Sequence, residues 1–292
     1  MQGLSAPELD AKLREFLTED IGSGDVTTDS IVPPDTVAAA EIVAKSDCVV
    51  SGLAVSRRVF ELLDPGLTWE ERTRPGSKVS AGTTLARLSG KARAILTAER
   101  VALNLLQRMC GIATATHLYV DAVAGTGCRI LGTRKTAPGL RAFDRIAVRD
   151  GGGTNHRFGL FDQILVKDNH RALAGGVAAA LEAVRENAPE KMTVEVEVES
   201  EEDLREAVLG GVRILLMDNQ TPETVARWCA IARESGGSAE IEASGDMTLA
   251  RVRDYALAGA DSISVGRITH SVEAADISLE ISYPQGHEGR SR

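Results

Sequence analysis

The stretch from Arg129 to Arg171, RILGTRKTAPGLRAFDRIAVRDGGGTNHRFGLFDQILVKDNHR, concentrates the side chains that could do chemistry. Its nine lysines and arginines (Arg129, Arg134, Lys135, Arg141, Arg145, Arg149, Arg157, Lys167 and Arg171) outnumber four acids (Asp144, Asp150, Asp162 and Asp168), in a protein whose formal net charge is −9. His156 and His170 lie in the same stretch. Arg134 and Lys135 follow the apolar run RIL, and Lys167 follows ILV, so cations stand where short strands give way to loops. Arginine offers a two-pronged contact to carboxylate or phosphate, lysine a point charge, and histidine a switchable one. Beside a triple glycine, that set suits a small polyanion. Composition alone fits a solvated basic face equally well; position on the fold separates the two.

The rest of the chain narrows the ligand. An acidic balance (pI ≈ 5.2) argues against non-specific binding to DNA or anionic membranes. Aromatic residues are 3% of the total, too few for the stacking platforms that hold single-stranded nucleic acid. Cys48, Cys110, Cys128 and Cys229 stand singly, as reduced core residues do, and frame neither a disulfide scaffold nor a zinc site. The N-terminus lacks an apolar signal segment, and no apolar run approaches a membrane span. The expectation is a soluble, cytoplasmic protein.

The elements must then position the cations. Residues 5–18 carry Leu9, Leu13, Phe16 and Leu17 at helical spacing behind an N-capping Ser5. From Val37 to about Ser89 short strand-like runs follow, with a helix near Ala54–Leu63 between them and a hairpin-like RPGSKVSAGTTLARLSG at the end. This first part is a small α+β domain. Lys91–Val123 predicts one or two long helices with a break at Gly111, and Arg100 and Arg108 on them as solvated or salt-bridged residues. Beyond Gly127, strand candidates at Arg129–Leu131, Gln163–Val166, Thr193–Val198, Arg213–Met217, Ala239–Glu242 and Ser262–Val265 alternate with helices. That alternation implies crossovers and a parallel sheet. About six or seven strands fall short of a complete eight-stranded barrel. An open, incomplete α/β barrel is expected, with a flavodoxin-like open sheet as the alternative.

In such folds ligands lie at the carboxyl ends of the strands. Those ends carry Arg134 and Lys135, Lys167, Glu197, Asp218, Ser244 with Gly245, and Gly266. With His156 and Arg157 the basic members would hold anionic groups. Glu197 and Asp218 would suit Mg²⁺ beside phosphates, although spacing does not choose Glu197 over Glu195 or Glu199 in EVEVE. Ser244, Gly245 and Gly266 could offer backbone N–H groups at a helix start to a terminal phosphate. AGTGCR is no dinucleotide fingerprint, SGKA is no P-loop, and no Ser–His–Asp arrangement is signalled.

TRKTAPGLR, GGGTNHRFGLFDQILVKDNH, ERVALN (residues 99–104), EVEVES, LLMDN, EASG and VGRITHS, together with EDIGSGDVTT near the N-terminus, resemble in order the motifs of the quinolinate phosphoribosyltransferase family. The resemblance spans roughly Glu19 to Leu279. It implies an N-terminal α/β sandwich with a leading helix (residues 1–111), an open α/β barrel (112–277) and a C-terminal tail (278–292). It also implies a homo-oligomer, a dimer or multiple of dimers, whose active sites are shared between subunits. The implied reaction joins quinolinate to 5-phosphoribosyl-1-pyrophosphate with Mg²⁺ as cofactor, releasing pyrophosphate and CO₂ and giving nicotinate mononucleotide for NAD synthesis. Carried over by motif, Arg134, His156 and Arg157 would hold the quinolinate carboxylates with Lys135 beside them. Arg100 would reach the same substrate from the partner subunit. Lys167 would contact the phosphoribosyl donor, Glu197 and Asp218 would serve Mg²⁺ and the ribose, and Ser244, Gly245, Gly266 and His270 would line the 5′-phosphate site. Three positions depart from the family pattern: Gly132 before TRKT, Asp246 after Gly245, and Asp150 before the triple glycine. They leave room for another pyridine or pyrrole acid as substrate. Intact NHR and KDNH motifs argue against the family's molybdenum-transport-associated paralogue. A Schiff-base aldolase built on Lys167 or Lys135 and a noncatalytic anion-binding relative are the alternatives from other classes.

Overall fold

The computed structural model describes residues 5–235 and 238–282. They form two compact units. One runs to Ala115 and includes Pro138–Gly152 and the chain from Val272; the other comprises Thr116–Ala137 and Gly153–Ser271.

The first unit opens with α1 (Ala6–Ile21), whose Ser5 and Glu8 close a capping box and whose Leu9, Leu13 and Leu17 are buried. After α2 (Val26–Ile31) come β1 (Val37–Ala44), β2 (Cys48–Val49), α3 (Leu53–Leu63), β3 (Thr68–Glu71), β4 (Lys78–Val79) and β5 (Thr84–Lys91). The glycine-rich segment after Arg74 is not one hairpin. β4 pairs with β2, whereas β5 lies between β1 and β3. Helix α4 (Ala92–Ala122) is continuous through Gly111, where a break was expected. Gly111 has a different use. A Cβ there would sit 2.1 Å from the backbone oxygen of Glu273, so the glycine admits a close chain crossing. Arg108, also on α4, donates through Nε and Nη2 to both oxygens of the fully buried Asp144, at 2.8 Å each.

The second unit holds a sheet of seven strands: β6 (Arg129–Gly132), β7 (Thr154–Asn155), β8 (Ile164–Val166), β9 (Val194–Val198), β10 (Ile214–Asp218), β11 (Glu240–Ser244) and β12 (Ser262–Val265). All its pairings are parallel, in the order β7-β6-β12-β11-β10-β9-β8. The intervening helices include α6 (Asp168–Ala174), α7 (Val177–Asn187), α8 (Glu201–Leu209), α9 (Pro222–Glu234), α10 (Val252–Leu257) and α11 (Arg267–His270). The preceding helix α5 (Arg141–Asp150) groups with the first unit. β7 and β8 are unjoined edges, so the barrel is open, as expected. Strand β7 has only two residues, which is why alternation of hydrophobicity did not reveal it. The central strands are buried on both faces, as parallel strands covered by helices are.

One boundary needs correction. Residues 278–282 are not tail: β13 (Ile277–Ser282) pairs antiparallel with β1 along six residue pairs and completes the four-stranded sheet of the first unit. Its pairing partners are upstream by more than two hundred residues, beyond any local signal. The remainder of the tail, 283–292, lies outside the described residues. No helix among the described residues is long and apolar enough to cross a membrane.

Candidate active site

All seven parallel strands deliver an anticipated residue to the same edge of the sheet. Arg134 and Lys135 lie just past β6, His156 and Arg157 just past β7, and Lys167 just past β8. Glu197 is on β9, Asp218 ends β10, Ser244 ends β11 with Gly245 following, and Gly266 follows β12. Position on the fold thus decides against a scattered basic face.

The two arginines are neighbours across the β6–β7 pairing, where Leu131 aligns with Thr154 and Gly132 with Asn155. Each has a buried Nε that meets no hydrogen-bond acceptor among the described residues. Arg157 gives one Nη1 donation to the carbonyl of Gln163, at 3.0 Å. Burial, and then the like charge of Arg134, press its guanidinium below its usual basicity. Two cations held together with donors unspent form a site for an anion that has two acceptor groups.

His156 immediately precedes Arg157 in the chain. Its backbone N–H donates to the carbonyl of Gly132 at 2.9 Å, and its ring Nε2 lies 2.9 Å from Glu195 Oε2 and 3.8 Å from Glu242 Oε2. Gln163 Nε2 donates to the same Glu195 oxygen at 2.6 Å, and Ser264 Oγ donates to Glu242 Oε1. His156 follows edge strand β7, while Glu195 is on β9, near the opposite edge. These side chains can meet only because the sheet curls, so they fill the barrel's concave interior. Burial opposes charge on His156, but the Glu195 hydrogen bond and the two nearby carboxylates outweigh it and raise the ring's basicity. Burial and then the charge of Glu195 push the Glu242 carboxyl up to about 7.

On the other side, Lys167 Nζ donates to Glu197 Oε2 at 3.1 Å. The carboxylate oxygens of Asp168, Glu197 and Glu199 lie within 4.8 Å of one another. Asp218 is not in that group; its Oδ2 accepts from the side chain of Asn219 at 2.8 Å. Asp168 and Glu199 thus stand beside Glu197 as further carboxylates, in addition to the expected Glu197 and Asp218. EVEVE does not alternate between core and solvent. Glu195 and Glu197 are both buried, and only Glu199 is exposed, its Oε2 accepting from Arg171 Nη2 at 2.7 Å.

The glycine-lined end is equally convergent. A Cβ on Gly266 would meet Lys135 Cδ at 3.0 Å and the His270 ring at 3.1 Å, and Thr269 Oγ1 donates to the Lys135 carbonyl at 2.9 Å. Gly245 has φ +128° and would clash with Asn219 at 2.7 Å if it carried a Cβ. Gly266 is the N-cap of the four-residue α11, at a helix start as expected, whereas Gly245 leads into a turn before α10.

Two of the departures have these surroundings. Asp150 Oδ2 accepts from Ser51 Oγ at 2.6 Å within the first unit, and burial raises its pKa. Asp246 is exposed. Arg100 lies on α4 in the first unit, 59% exposed, with Glu99 Oε1 3.9 Å from Nη2. Glu242, Gln163 and Asp168 were not anticipated, and Glu195 only as an alternative to Glu197. The available signal was acids at alternate positions on strands that a parallel barrel must bury, Glu195 with Glu197 and Glu240 with Glu242.

Comparison with known proteins agrees along the whole chain. The family models described as quinolinate phosphoribosyl transferase, N-terminal domain, and quinolinate phosphoribosyl transferase, C-terminal domain, match residues 25–110 and 112–280. The chain belongs to the quinolinate phosphoribosyltransferase family. It is accordingly an enzyme, a phosphoribosyltransferase. A probable nicotinate-nucleotide pyrophosphorylase (carboxylating) of Bacillus subtilis is 41% identical over 275 residues, covering 94% of each chain. The Mycobacterium leprae nicotinate-nucleotide pyrophosphorylase (carboxylating) is 41% identical over 288 residues, covering 95% of this chain and all of its own. The crystal structure of NadC from Streptococcus pyogenes superposes with a TM-score of 0.92 at 36% identity, over 98% of this chain and 100% of that one. Within this phosphoribosyltransferase the cationic residues and Gly245 and Gly266 fall on one edge of the parallel sheet.

Proposed function

We propose that the enzyme transfers the phosphoribosyl group of 5-phosphoribosyl-1-pyrophosphate to the ring nitrogen of quinolinate, with loss of CO₂, to give nicotinate mononucleotide and pyrophosphate for NAD synthesis. One observation carries the choice of a dicarboxylate: Arg134 and Arg157 stand together with buried Nε donors unspent. The names of the B. subtilis and M. leprae relatives support the same reaction.

The chemistry asks little of a nucleophilic side chain. The pyridine nitrogen attacks the ribose C1 as the bond to pyrophosphate breaks, so positioning and charge stabilisation suffice. Arg134, Arg157 and His156 hold the two carboxylates, with Lys135 beside them. Lys167 faces the phosphoribosyl donor, and Ser244, Gly245, Gly266 and His270 line its 5′-phosphate. Once the nitrogen is quaternised, the adjacent C2 carboxylate departs as CO₂ and the ring carbon takes a proton.

Magnesium suits the acids on this edge. Asp168, Glu197 and Glu199 offer the hard carboxylate oxygens that Mg²⁺ takes, close enough to share one ion, and Asp218 on the neighbouring strand is within the same rim. The ion would neutralise pyrophosphate as it leaves. The enzyme is proposed to act in the cytoplasm as a dimer or multiple of dimers, with Arg100 completing a partner subunit's site.

A Schiff-base aldolase built on Lys167 is disfavoured by that residue's setting. Its side chain is 50% exposed and ion-paired with Glu197, whereas such a lysine needs a desolvated or cation-crowded pocket to act as an amine. Pyrophosphate release over a panel of pyridine carboxylates tests the reading. Quinolinate should be preferred, with dependence on Mg²⁺. Equal turnover of a monocarboxylate, or none with quinolinate, would remove the dicarboxylate assignment.

A further inference from the structure

Two buried carboxylates in the barrel interior have no role in the reaction described so far. Glu195 is wholly buried and Glu242 is 2% exposed. Parallel strands covered on both faces ordinarily carry Val, Ile or Leu at such positions. A buried acid is costly unless paired, and replacing a buried ion pair with apolar side chains is often neutral or stabilising. Stability is therefore a poor reason for keeping two of them on the same interior face.

Their contacts point upward to the rim. Glu195 is held by Gln163, whose Nε2 donates to Oε2 at 2.6 Å, and the same oxygen meets His156 Nε2 at 2.9 Å. Its second oxygen is buried and meets no donor, so the charge is not dispersed over further hydrogen bonds. Glu242 is pinned by the hydroxyl of Ser264 through Oε1, and its Oε2 lies 3.8 Å from the same imidazole nitrogen. Each acid is anchored by a neutral donor and turned toward one ring. The ring's backbone is fixed in turn to Gly132. Because Nε2 is committed to Glu195, what His156 offers a bound anion there is its charge.

We propose that Glu195 and Glu242 are positioning residues that lock the imidazole of His156, the chain neighbour of Arg157, as an oriented cation, and so set affinity for the pyridine dicarboxylate. Neither touches substrate; both act through the ring. This rests on the reaction proposed above only in naming the ligand. A ring held in one orientation presents its charge to the carboxylate without rotamer cost at the moment of binding. A loose or neutral ring presents less.

The test has two independent arms. In the first, ring N–H signals are recorded by ¹H–¹⁵N NMR without any ligand, with His156→Gln identifying the His156 signal. A strongly hydrogen-bonded Nε2 proton is expected in the unsubstituted enzyme and should be lost or shifted in Glu195→Gln. Its persistence unchanged would overturn the lock. In the second, calorimetry measures quinolinate and 5-phosphoribosyl-1-pyrophosphate separately. Glu195→Gln should weaken quinolinate binding about tenfold or more, the scale of one charge-assisted hydrogen bond, while donor affinity stays within about twofold. In a His156→Gln background the same substitution should add less than about twofold, because the effect passes through the ring. An equal loss with the imidazole absent would show a merely structural role and sink the inference. Glu242→Gln, which keeps the Ser264 hydrogen bond, repeats the cycle with a smaller expected loss should Glu195→Gln not fold. If the unsubstituted enzyme binds no quinolinate, the reaction proposed above falls, and the NMR arm still decides the lock.

Discussion

Arg134 and Arg157 stand at the ends of adjacent strands, each with a buried Nε that no protein acceptor meets among the described residues. Two like charges in partial burial repel, and Glu195 and Asp162 offset that repulsion at Arg157. In the proposed reaction a bound dicarboxylate would meet the donors left over.

Arg134→Lys should therefore cripple turnover although the charge is kept, since an ammonium cannot reproduce a forked contact. One lost charge-assisted bond is worth about 1.5–3 kcal/mol, which corresponds to a fall of about ten- to a hundredfold in kcat/KM. Steady-state kinetics with quinolinate varied would show it. Kinetics matching those of the unsubstituted enzyme would remove Arg134 from the site.

Gly111→Ala should destabilise the fold although alanine favours helix. The new methyl would lie 2.1 Å from the Glu273 backbone oxygen and 3.1 Å from the Ala274 Cα, so backbone must move. Overpacking costs about 1–3 kcal/mol, against about 1 kcal/mol gained from helix propensity. A net drop of the order of a few degrees in Tm is expected by calorimetry. A rise in Tm would show that the crossing chain yields freely.

The interior acids make a pH prediction. Glu242 is raised from its ordinary 4.5 to about 7, and His156 is raised above its ordinary 6.5. In both cases the folded state binds protons more tightly than the unfolded chain. Their contribution to stability is fully present below the unfolded values and is lost as pH rises through the folded ones. Between pH 5 and pH 8 the Tm should fall, and Glu242→Gln, which cannot ionise there, should flatten that fall. A steeper decline in the variant would contradict the assignment.

What the sequence revealed and what it hid divide along physical lines. The rim was legible because cations and small residues follow apolar runs, and a parallel sheet gathers strand ends at one edge. Lys135, Gly266 and His270, 135 residues apart in the chain at the extremes, meet for that reason. The interior was not legible. Choosing Glu195 as the partner of His156 requires knowing that β7 and β9 face each other across a curled sheet, and no spacing encodes curvature. Gly111 looked like a helix break because the chain that crosses it, Glu273 and Ala274, is remote in sequence. Strand β13 hid for the same reason. Asp150 looked like a charge beside a phosphate until its hydrogen bond to Ser51 placed it in the first unit.

Sharing of the site between subunits has its own test. Arg100→Ala and Lys167→Ala should each be inactive alone. Mixed under conditions of demonstrated subunit exchange, about half the dimers are hybrid, and each hybrid has one site with both lesions and one with neither. About a quarter of the unsubstituted activity should return. No return would show that Arg100 acts within its own chain or not at all.

The central claim is the reaction itself, and its stoichiometry tests it most directly. The enzyme is incubated with carboxyl-labelled quinolinate, 5-phosphoribosyl-1-pyrophosphate and Mg²⁺, and labelled CO₂, pyrophosphate and nucleotide are counted from the same reaction. The account predicts equal amounts of all three, with nicotinate mononucleotide identified by mass. Pyrophosphate appearing without labelled CO₂ and nicotinate mononucleotide, or no reaction with quinolinate at all, would contradict it.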